Sequence, residues 1–290
     1  MWKQRAKAIL PASWLAGYHH LRLAVRSLRR LVRPVRRCRV RGLAIALSVT
    51  SEIEHYRADT YATKEPETLD WLDTELRPQD VFWDIGANIG LYSLYAAKRC
   101  PSARIHAFEP EARNFSQLQL NLALNRCDNV AAHQVGVADQ VRMSRLYLSR
   151  HEAGAAMHSV GRPGPWNAAD TSQPCRAVSI DALVADEHWL CPSLLKIDVD
   201  GLEQEILDGA RRTLQSGRIR SLLIETEAPK GEALTWAERW LMPFGYRLIR
   251  TSAWLYEADG RWANNQIFSL SEPARPVHDY ATKGTSHASA

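Results

Sequence analysis

The sequence predicts an α/β fold, in which a mostly parallel sheet carries helices on both faces. Two observations support this class. Short apolar runs of strand length alternate with segments whose apolar residues recur at helical spacing from residue 66 onward. A glycine-containing turn joins the first such run to the helix after it, as at the ligand-binding edge of an open α/β sheet. The apolar fraction of 46% over 290 residues suffices for a buried core.

The first elements follow from periodicity and from residues that end helices. Leucines recur on one face of 66–76, and an Arg-Pro pair closes this helix. The apolar run 81–83 ends at an aspartate and predicts a buried strand, and the helix 91–99 after the turn ends at a Cys-Pro pair. Residues 104–108 predict the next strand, and apolar residues at helical spacing predict a helix over 111–124.

The middle of the chain interrupts this regular alternation. Residues 130–137 predict a third strand, and the alternating stretch 141–149 is interpreted as part of an inserted hairpin. Gly, Pro, Ala and Ser are abundant over 154–171, which predicts a loop. A serine suited to N-capping opens a short helix over 179–184, and 194–199 predicts the fourth core strand.

The remaining elements complete a predicted seven-stranded sheet. Apolar residues on one face predict an amphipathic helix over 202–214. The strand 219–224 ends at a glutamate and the helix 236–242 follows it. Residues 246–250 and 266–270 are the last predicted strands.

Charge is distributed unevenly along the chain. Twelve of the 37 Lys and Arg residues lie in the first 51 positions, which contain no Asp or Glu. The other 239 residues hold 25 basic and 32 acidic residues, so a basic arm precedes a mildly acidic body. We therefore divide the chain into an arm at 1–45, an α/β domain at 46–272 and a tail at 273–290. The tail is predicted to be disordered because it offers little to bury.

The basic arm has three interpretations. It is a solvated, poorly ordered extension, or residues 1–40 lie on an anionic membrane surface with their tryptophans at the interface, or it binds nucleic acid. The acidic body by itself is not expected to bind a nucleic-acid backbone, which requires clustered cations.

Targeting signals and cysteines bear on the compartment. The arm contains no apolar segment long enough to span a bilayer and no secretory signal, although an organelle transit peptide would share its arginine-rich character. The five cysteines are scattered and form no C-x-x-C pair, which indicates reduced thiols. We expect a cytoplasmic protein that is at most peripheral to a membrane.

The turn after the first core strand has the composition of a ligand-binding loop. Glycines allow positive φ angles and let a ligand approach the backbone without an intervening Cβ. A dinucleotide site would need three glycines to seat a pyrophosphate, whereas this turn opens with an aspartate. A leading carboxylate suits a ligand with a cationic end, and the ammonium and sulfonium of S-adenosylmethionine meet that requirement. The predicted cofactor contacts in this turn are Asp84, Gly86, Ala87, Asn88 and Gly90.

Two further acids are predicted to contact the cofactor. Glu109 ends the next strand, 25 residues after Asp84, and a carboxylate near this place accepts hydrogen bonds from ribose hydroxyls. The alternative is that Glu109 only caps the following helix, with Pro110 at its first position. Asp139 follows the third strand, where adenine is often bound in this architecture.

At this point the residues resemble the FkbM family of class I methyltransferases. The similarity extends over roughly residues 70 to 228, in motifs that occur in the family's order. The matching positions are Asp84–Ser93, Ala107–Pro110, Asn121–Asn125, Ser179–Leu183, Leu194–Val199, Gly201, Glu203, Gly209, Ala210, Ile224 and Glu225. The resemblance implies a Rossmann-like class I methyltransferase domain at 46–272 that uses S-adenosylmethionine. It also implies O-methylation of a hydroxyl on a sugar, glycan or other natural product.

Two positions depart from the family pattern. Asp200 stands where the family usually has glutamate, so the charge is kept on a side chain that is shorter by one methylene. Thr226 follows Glu225, where many relatives carry a histidine.

Methyl transfer to a hydroxyl is an in-line displacement that depends on alignment and on a base for the proton. Asp198 and Asp200 follow the fourth strand at the open edge of the sheet. Asp198 is the best candidate for the base, for a ligand of the substrate or for an occasional metal ligand. Glu225 either orients the acceptor or only ends its strand. The alternative for the two aspartates is that they cap the next helix. His133 and His158 are weaker candidates, and no metal-ligand set is predicted.

Other classes of function are less well supported. A nicotinamide oxidoreductase would need a three-glycine turn. A nucleic-acid methyltransferase anchored by the arm would place two prolines and an aromatic residue after the fourth strand, where this chain has residues 198–201. A non-catalytic binding protein would have no reason to keep Asp84, Gly86, Gly90 and Glu109. We therefore expect a small-molecule or glycan acceptor as the partner.

Overall fold

A computed structural model describes residues 34–164, 167, 171–186, 188–229, 235–252, 256–258 and 261–271. The basic arm up to residue 33, Trp166 in the predicted loop and the tail from residue 272 lie outside the described residues. In the part of the chain that is described, no helix has the length and apolar character needed to cross a membrane.

The chain begins with two strands and then largely alternates strands with helices. The strands are β1 (Val35–Val40), β2 (Leu43–Ser48), β3 (Val81–Ile85), β4 (Arg104–Phe108), β5 (Val130–His133), β6 (Gly136–Val137), β7 (Arg142–Tyr147), β8 (Ser159–Val160), β9 (Ser172–Val178), β10 (Leu194–Ile197), β11 (Ser221–Pro229), β12 (Tyr246–Thr251), β13 (Tyr256–Ala258) and β14 (Arg261–Leu270). The helices are α1 (Glu52–Thr60), α2 (Pro66–Glu75), α3 (Leu91–Arg99), α4 (Ala112–Asn125), α5 (Ile180–Ala185), α6 (Glu203–Asp208), α7 (Arg211–Gln215) and α8 (Trp236–Leu241), with a short 3₁₀ turn at Met242–Phe244.

The large sheet confirms the predicted α/β fold. Seven strands follow the order β12-β14-β11-β10-β3-β4-β5, and β13 pairs with β14 beside this path. The five strands from β11 to β5 are parallel neighbours, whereas β14 is antiparallel to both β11 and β12. The chain adds strands outward from β3 in one direction and later from β10 in the other. The order reverses between β3 and β10, and ligands bind at such a reversal in open α/β sheets.

Helices cover both faces of the sheet. Phe82 and Trp83 are neighbours on β3 and are both fully buried, but they belong to opposite cores because successive strand residues alternate in direction. The core on the side of Phe82 includes Leu69 and Leu72 of α2, Leu94 of α3 and Leu118 of α4. The core on the side of Trp83 includes Ile180 of α5, Ile206 of α6, Leu214 of α7 and Leu241 of α8.

The predicted boundary between arm and domain at residue 45 is wrong. β1 and β2 form an antiparallel hairpin through a two-residue turn, in which Arg41 and Gly42 have φ angles of +48° and +87°. Side chains of α4 fix the hairpin to the domain: Ser48 N donates to Asn121 Oδ1 at 2.9 Å, and Ala46 N donates to Asn125 Oδ1 at 2.9 Å.

Four basic residues assigned to the arm therefore lie in this hairpin, and two of them pair with carboxylates of the domain. Arg36 forms an ion pair with Asp59. Arg41 pairs with Asp70 at 2.6 Å and with Asp73 at 2.8 Å. These two arginines are occupied by the domain's own carboxylates. The membrane and nucleic-acid hypotheses now concern the exposed Arg37 and Arg39 of β1 and the residues that precede the described part of the chain.

A second sheet interrupts the alternation of strands and helices. We predicted an inserted hairpin in this part of the chain. Its order is β6-β9-β7-β8, and β7 is antiparallel to β9. The predicted strand 130–137 is divided, because β5 stays in the large sheet and β6 pairs with β9 in the second one.

The predicted helix 202–214 is likewise two short helices. At Gly209 a Cβ would lie 2.4 Å from the carbonyl oxygen of Ala138, so the chain bends where two backbones touch. The carboxylate of Asp181 then accepts hydrogen bonds from the amides of Arg212 at 3.0 Å and Thr213 at 2.8 Å, which caps α7.

Candidate functional site

The turn after β3 lies at the reversal point of the sheet. Gly86 has a φ of +82°, and the amides of Gly86 and Ala87 both donate to the carbonyl oxygen of Phe108 at 3.0 Å. A Cβ at position 86 would lie 1.9 Å from the carbonyl oxygen of Asp198. Only glycine fits both the left-handed backbone and this close approach of two strand ends.

Asn88 and Gly90 shape the rest of the turn. Asn88 has a φ of +52°, and its Nδ2 donates to the carbonyl oxygen of Ala155 at 2.7 Å. Gly90 has a φ of +92° at the start of α3, where a Cβ would lie 2.4 Å from the side chain of Leu118. Contacts with the chain near residue 155 and with α4 therefore fix the conformation of the turn.

The carboxylate of Glu109 is buried and joins two turns. Its Oε2 accepts from the amide of Asn88 at 2.8 Å, and its Oε1 accepts from the amide of Glu111 at 2.8 Å. Burial raises the pKa of Glu109 to about 8, although these two amides favour the ionised form. The cap of α4 is Glu111, whose carboxylate accepts from the amide of Asn114 at 2.7 Å. The interpretation of Glu109 as only a helix cap is therefore wrong.

Glu109 lies in the wall of a cavity that we call the first cavity. Gly86 and Asn88 share this wall. The rest is mainly apolar and includes Phe108, Val135, Val137, Val160, Val199 and Leu202. A carboxylate beside an apolar slot fits an adenosine, with ribose hydroxyls at the carboxylate and the base among apolar side chains.

A second cavity adjoins the first. Gly86, Asn88 and Asp198 line both cavities, so the two spaces meet at these residues. The walls of the second cavity are more polar and include Arg57, Tyr61, Lys64, Glu65, Tyr92 and Lys196, together with Ala87.

A buried lysine controls the charge where the cavities meet. The Nζ of Lys196 is surrounded by protein, donates to Asp198 Oδ2 at 2.7 Å and lies 3.8 Å from Asp84 Oδ1. Burial disfavours its charge, but Asp198 and Asp84 raise the pKa of Lys196 above its usual value. Burial would also raise the pKa of Asp198, yet the ammonium lowers it below the usual value. Asp198 is therefore ionised at neutral pH.

Asp84 lies behind the turn and lines neither cavity. It is fully buried; its Oδ2 accepts from Ser93 Oγ at 2.6 Å, and its Oδ1 has no hydrogen-bond partner among the described residues. Burial raises the pKa of Asp84, and the charge of Lys196 opposes that rise. Asp84 is thus placed to support Lys196, and its predicted contact with the cofactor is not direct in this arrangement.

Asp200 faces the chain that covers the site. Its carboxylate accepts from the amide of Met157 at 2.6 Å, and its own φ is +62°. Burial raises the pKa of Asp200 to about 6. Helix α6 begins at Glu203 without a side-chain cap, so the interpretation of Asp198 and Asp200 as a helix cap is wrong. Asp200 lines neither cavity.

Glu225 lies in β11, opposite Asn265 of β14. It is buried and lines neither cavity. Burial raises the pKa of Glu225 well above its usual value, and repulsion from Asp198 and Asp200 acts in the same direction. Glu225 therefore holds its proton at a pH where Asp198 is ionised.

The remaining predicted candidates are Asp139, His133 and His158, and they do not lie together. Asp139 pairs with Arg142 and lines neither cavity. His133 stacks on His106 with ring centroids 5.3 Å apart, away from both cavities. His158 lines the first cavity, and burial lowers its pKa to about 4, which leaves the ring neutral.

Residues 153–158, which begin the predicted loop, form an ordered wall across the site. The carbonyl oxygen of Gly154 accepts from Arg57 Nε at 2.6 Å, and that of Ala155 accepts from Asn114 Nδ2 at 3.0 Å. Along this wall, Ala156 faces the second cavity and His158 the first. The wall therefore contributes to both spaces.

Sequence reasoning missed much of the second cavity. Lys196 could have been found, because a lysine inside the apolar run Leu-Leu-Lys-Ile of a core strand needs a buried partner. The sequence around Arg57 and Lys64 contains no comparable pattern that would have indicated a place in the site. Within the described ranges, no group of three or more His, Cys, Asp or Glu side chains is arranged to hold a metal ion.

Comparison with known proteins relates the sequence of this chain to a methyltransferase family. Residues 84–248 match the family model described as the methyltransferase FkbM domain. The chain is 29% identical over 181 residues to the 31-O-demethyl-FK506 methyltransferase FkbM of Streptomyces tacrolimicus, covering 54% of this chain and 69% of that protein. It is 27% identical over 192 residues to the hexuronic acid methyltransferase AglP of Haloferax volcanii, covering 65% and 73%.

A solved structure is also similar. The methyltransferase FkbM of Methylobacillus flagellatus aligns with a TM-score of 0.44 at 16% identity, covering 76% of this chain and 56% of that one.

Proposed function

Because the chain belongs to the FkbM family of S-adenosylmethionine-dependent class I methyltransferases, we propose that it methylates a hydroxyl group of a sugar, glycan or other natural product. The observation that carries this proposal is the meeting of the two cavities at Gly86, Asn88 and Asp198. In-line transfer requires donor and acceptor to approach from opposite sides of one point, and alignment of this kind supplies roughly 7–11 kcal/mol.

The first cavity is the proposed donor site. Glu109 would accept hydrogen bonds from the ribose hydroxyls, and the apolar residues around Val135 and Val199 would enclose the adenine. When bound, S-adenosylmethionine supplies an electrophilic methyl group on a sulfonium. Gly86 leaves room for a ligand and for the carbonyl of Asp198 on the same side of the turn.

The second cavity is the proposed acceptor site, and Asp198 is the proposed base. About a quarter of its side chain is exposed (24%), and its Oδ1 makes no hydrogen bond to another described residue. That oxygen is available to accept the proton of an acceptor hydroxyl. Lys196 holds the carboxylate in place and keeps it ionised. A positioned base typically contributes roughly 10²–10⁴-fold to the rate.

The lowered pKa of Asp198 constrains the order of events. An ionised carboxylate stabilised by Lys196 is too weak a base to produce a free alkoxide. The proton therefore moves to Asp198 as the new carbon–oxygen bond forms, and water is kept away by the wall at residues 153–158.

The names of two relatives support an oxygen acceptor. One relative acts on 31-O-demethyl-FK506 and another on hexuronic acid. Both are oxygen-rich natural molecules, which agrees with the polar lining of the second cavity.

Calorimetric titration and a transfer assay test this proposal together. The full chain should bind S-adenosylhomocysteine at micromolar concentration, and Glu109→Ala should weaken binding at least tenfold, or about 1.4 kcal/mol. Glu52→Ala, on an exposed residue at the start of α1, is the matched control. A folded wild-type chain that does not bind, or transfer only to nitrogen or sulfur acceptors, would contradict the proposal.

A further inference from the structure

The second cavity holds three cationic side chains, and they differ in how their charge is balanced. Lys196 is paired with Asp198 at 2.7 Å, and Lys64 is paired with Glu65. Arg57 has no carboxylate within 4.0 Å among the described residues. The formal charges of these five lining groups sum to +1, and Arg57 is the cation among them that forms no ion pair. At longer range its charge acts on the carboxylates of Asp198 and Asp200.

The orientation of Arg57 is fixed. It projects from α1, is half-buried, and its Nε donates to the carbonyl oxygen of Gly154 at 2.6 Å. A guanidinium has five N–H donors. The terminal nitrogens make no hydrogen bond to another described residue, so four donors are available at the cavity.

The other polar groups of this wall are already occupied by the protein. The hydroxyl of Tyr61 donates to the carbonyl oxygen of Leu91, and that of Tyr92 donates to Glu65 Oε2 at 2.7 Å. The hydroxyl of Thr60 donates to the carbonyl oxygen of Tyr56 at 2.8 Å. These bonds leave aromatic surface in the cavity wall and make Arg57 the main source of unsatisfied donors there.

The charge of Lys64 adds to the positive charge of Arg57 in the second cavity. Its side chain is 45% exposed at the mouth of the cavity, whereas its partner Glu65 is only 4% exposed. The cation is therefore nearer to solvent than the carboxylate that balances it. Of this pair, Lys64 is therefore the more accessible to a ligand in the cavity.

We propose that the acceptor carries an anionic group, a carboxylate or a phosphate, which Arg57 binds while a neighbouring hydroxyl lies at Asp198. A guanidinium recognises either anion through paired N–H donors. The inference rests on the proposed function, because it assigns the chemistry of the molecule that the second cavity accepts.

Ring-matched acceptors test this inference. Glucose, galactose and mannose are each supplied as the neutral methyl hexoside, the methyl hexuronide and the hexose 6-phosphate, with labelled S-adenosylmethionine as donor. Binding of each compound is also measured by calorimetry in the presence of saturating S-adenosylhomocysteine. The variants are Arg57→Gln, Arg57→Lys and the control Arg37→Gln, which replaces an exposed arginine of β1.

The inference predicts that an acidic compound has a kcat/KM at least tenfold above its neutral counterpart. Arg57→Gln should reduce this ratio to about twofold through a higher KM, with the Kd for S-adenosylhomocysteine unchanged. Arg57→Lys should keep part of the ratio, and Arg37→Gln all of it. Preference for the hexuronide identifies a carboxylate, and preference for the 6-phosphate identifies a phosphate.

The inference is overturned if the wild type uses neutral and acidic compounds equally, or if the preference survives in Arg57→Gln. Absence of Arg57-dependent binding of every acidic compound also overturns it. The proposed function fails separately, when an acidic compound binds through Arg57 but no methyl group is transferred to oxygen.

Discussion

Lys196 and Asp198 form an ion pair across two residues at the end of β10, with Nζ and Oδ2 2.7 Å apart. Their side chains lie on the same side because residues two apart on a strand share a face. The ammonium also lies 3.8 Å from Asp84 on the neighbouring strand. One buried cation thus links the proposed base to the strand that precedes the cofactor turn.

Replacing Lys196 with methionine should affect both stability and the pH dependence of the reaction. Removing one partner of a buried ion pair typically costs roughly 3–5 kcal/mol. Without the ammonium, the pKa of Asp198 rises, so the acidic limb of the pH–rate profile should move to higher pH. Urea unfolding and pH–rate measurements check the two effects. Lys196→Met combined with Asp84→Asn should recover part of the stability, and an unshifted profile would show that Lys196 does not act on the base.

Replacing Gly86 with alanine should disrupt the site more than a matched change elsewhere. A left-handed backbone costs a residue with a Cβ roughly 1–2 kcal/mol. That cost is all we expect of Gly42→Ala, which has a φ of +87° and nothing within 4 Å of the new Cβ. Gly86→Ala must also displace the carbonyl of Asp198, 1.9 Å away. Thermal unfolding and cofactor titration should show a larger loss for Gly86→Ala, and equal losses would argue against the close approach.

Cofactor affinity should rise with pH through the ionisation of Glu109. Burial holds the pKa of Glu109 at about 8, so much of the unliganded protein carries a protonated acid at pH 7. The ionised form accepts ribose hydroxyl protons better, and the Kd should fall between about pH 6.5 and 9. The suitable ligand is 5′-methylthioadenosine, because it lacks the amino-acid part that titrates near this range. Glu109→Gln should bind weakly with little dependence on pH, and a pH-independent wild type would contradict the assignment.

Glu203 should reduce the stability of the unliganded domain as the pH rises from about 4.5 to 7. Burial raises the pKa of Glu203 to about 7 from its ordinary 4.5, so the folded state keeps a proton that the unfolded state releases. Stability that is present below pH 4.5 is therefore lost as pH passes through 7, on the order of 1.4 kcal/mol per unit of difference. Asp200 acts in the same direction. His133 and His158, whose pKa burial lowers to about 4, act in the opposite direction.

Urea unfolding at several pH values, without cofactor, measures this effect. Compared with the wild type, Glu203→Gln should lose less stability, or gain more, as the pH rises, because the amide does not titrate. Glu205→Gln, which changes a more exposed glutamate on the same helix, should leave the slope unchanged. A Glu203→Gln slope as steep as that of the wild type would assign the decline to other groups.

The turn and the acid that line the first cavity could be predicted because their signals are local in sequence. The turn at Gly86 and the acid Glu109 each follow a strand directly, and the parallel sheet brings the two strand ends together. The same reasoning does not apply to Asp139. This residue follows the short strand β6, which belongs to the second sheet, and its carboxylate pairs with Arg142.

The acceptor side could not be predicted in the same way. Helix α1 buries only Glu54 and Ala58, so it has no apolar stripe to reveal it. The β1–β2 hairpin was not recognised in the sequence because its arginines resembled part of a basic arm. Arg36 and Arg41 in fact pair with carboxylates that are distant in sequence. The second cavity arises only when these segments fold back onto the turn after β3.

The position of α1 in the chain separates two kinds of recognition. Arg57, Tyr61, Lys64 and Glu65 all precede residue 84, where the match to the family begins. Gly86, Glu109 and Asp198 lie within it. If the second cavity is the acceptor site, as we propose, mutations in the short stretch between the hairpin and β3 alter one side of that site and leave Gly86, Glu109 and Asp198 unchanged. Selection for a new acceptor would then act first on a part of the gene that precedes the matched domain.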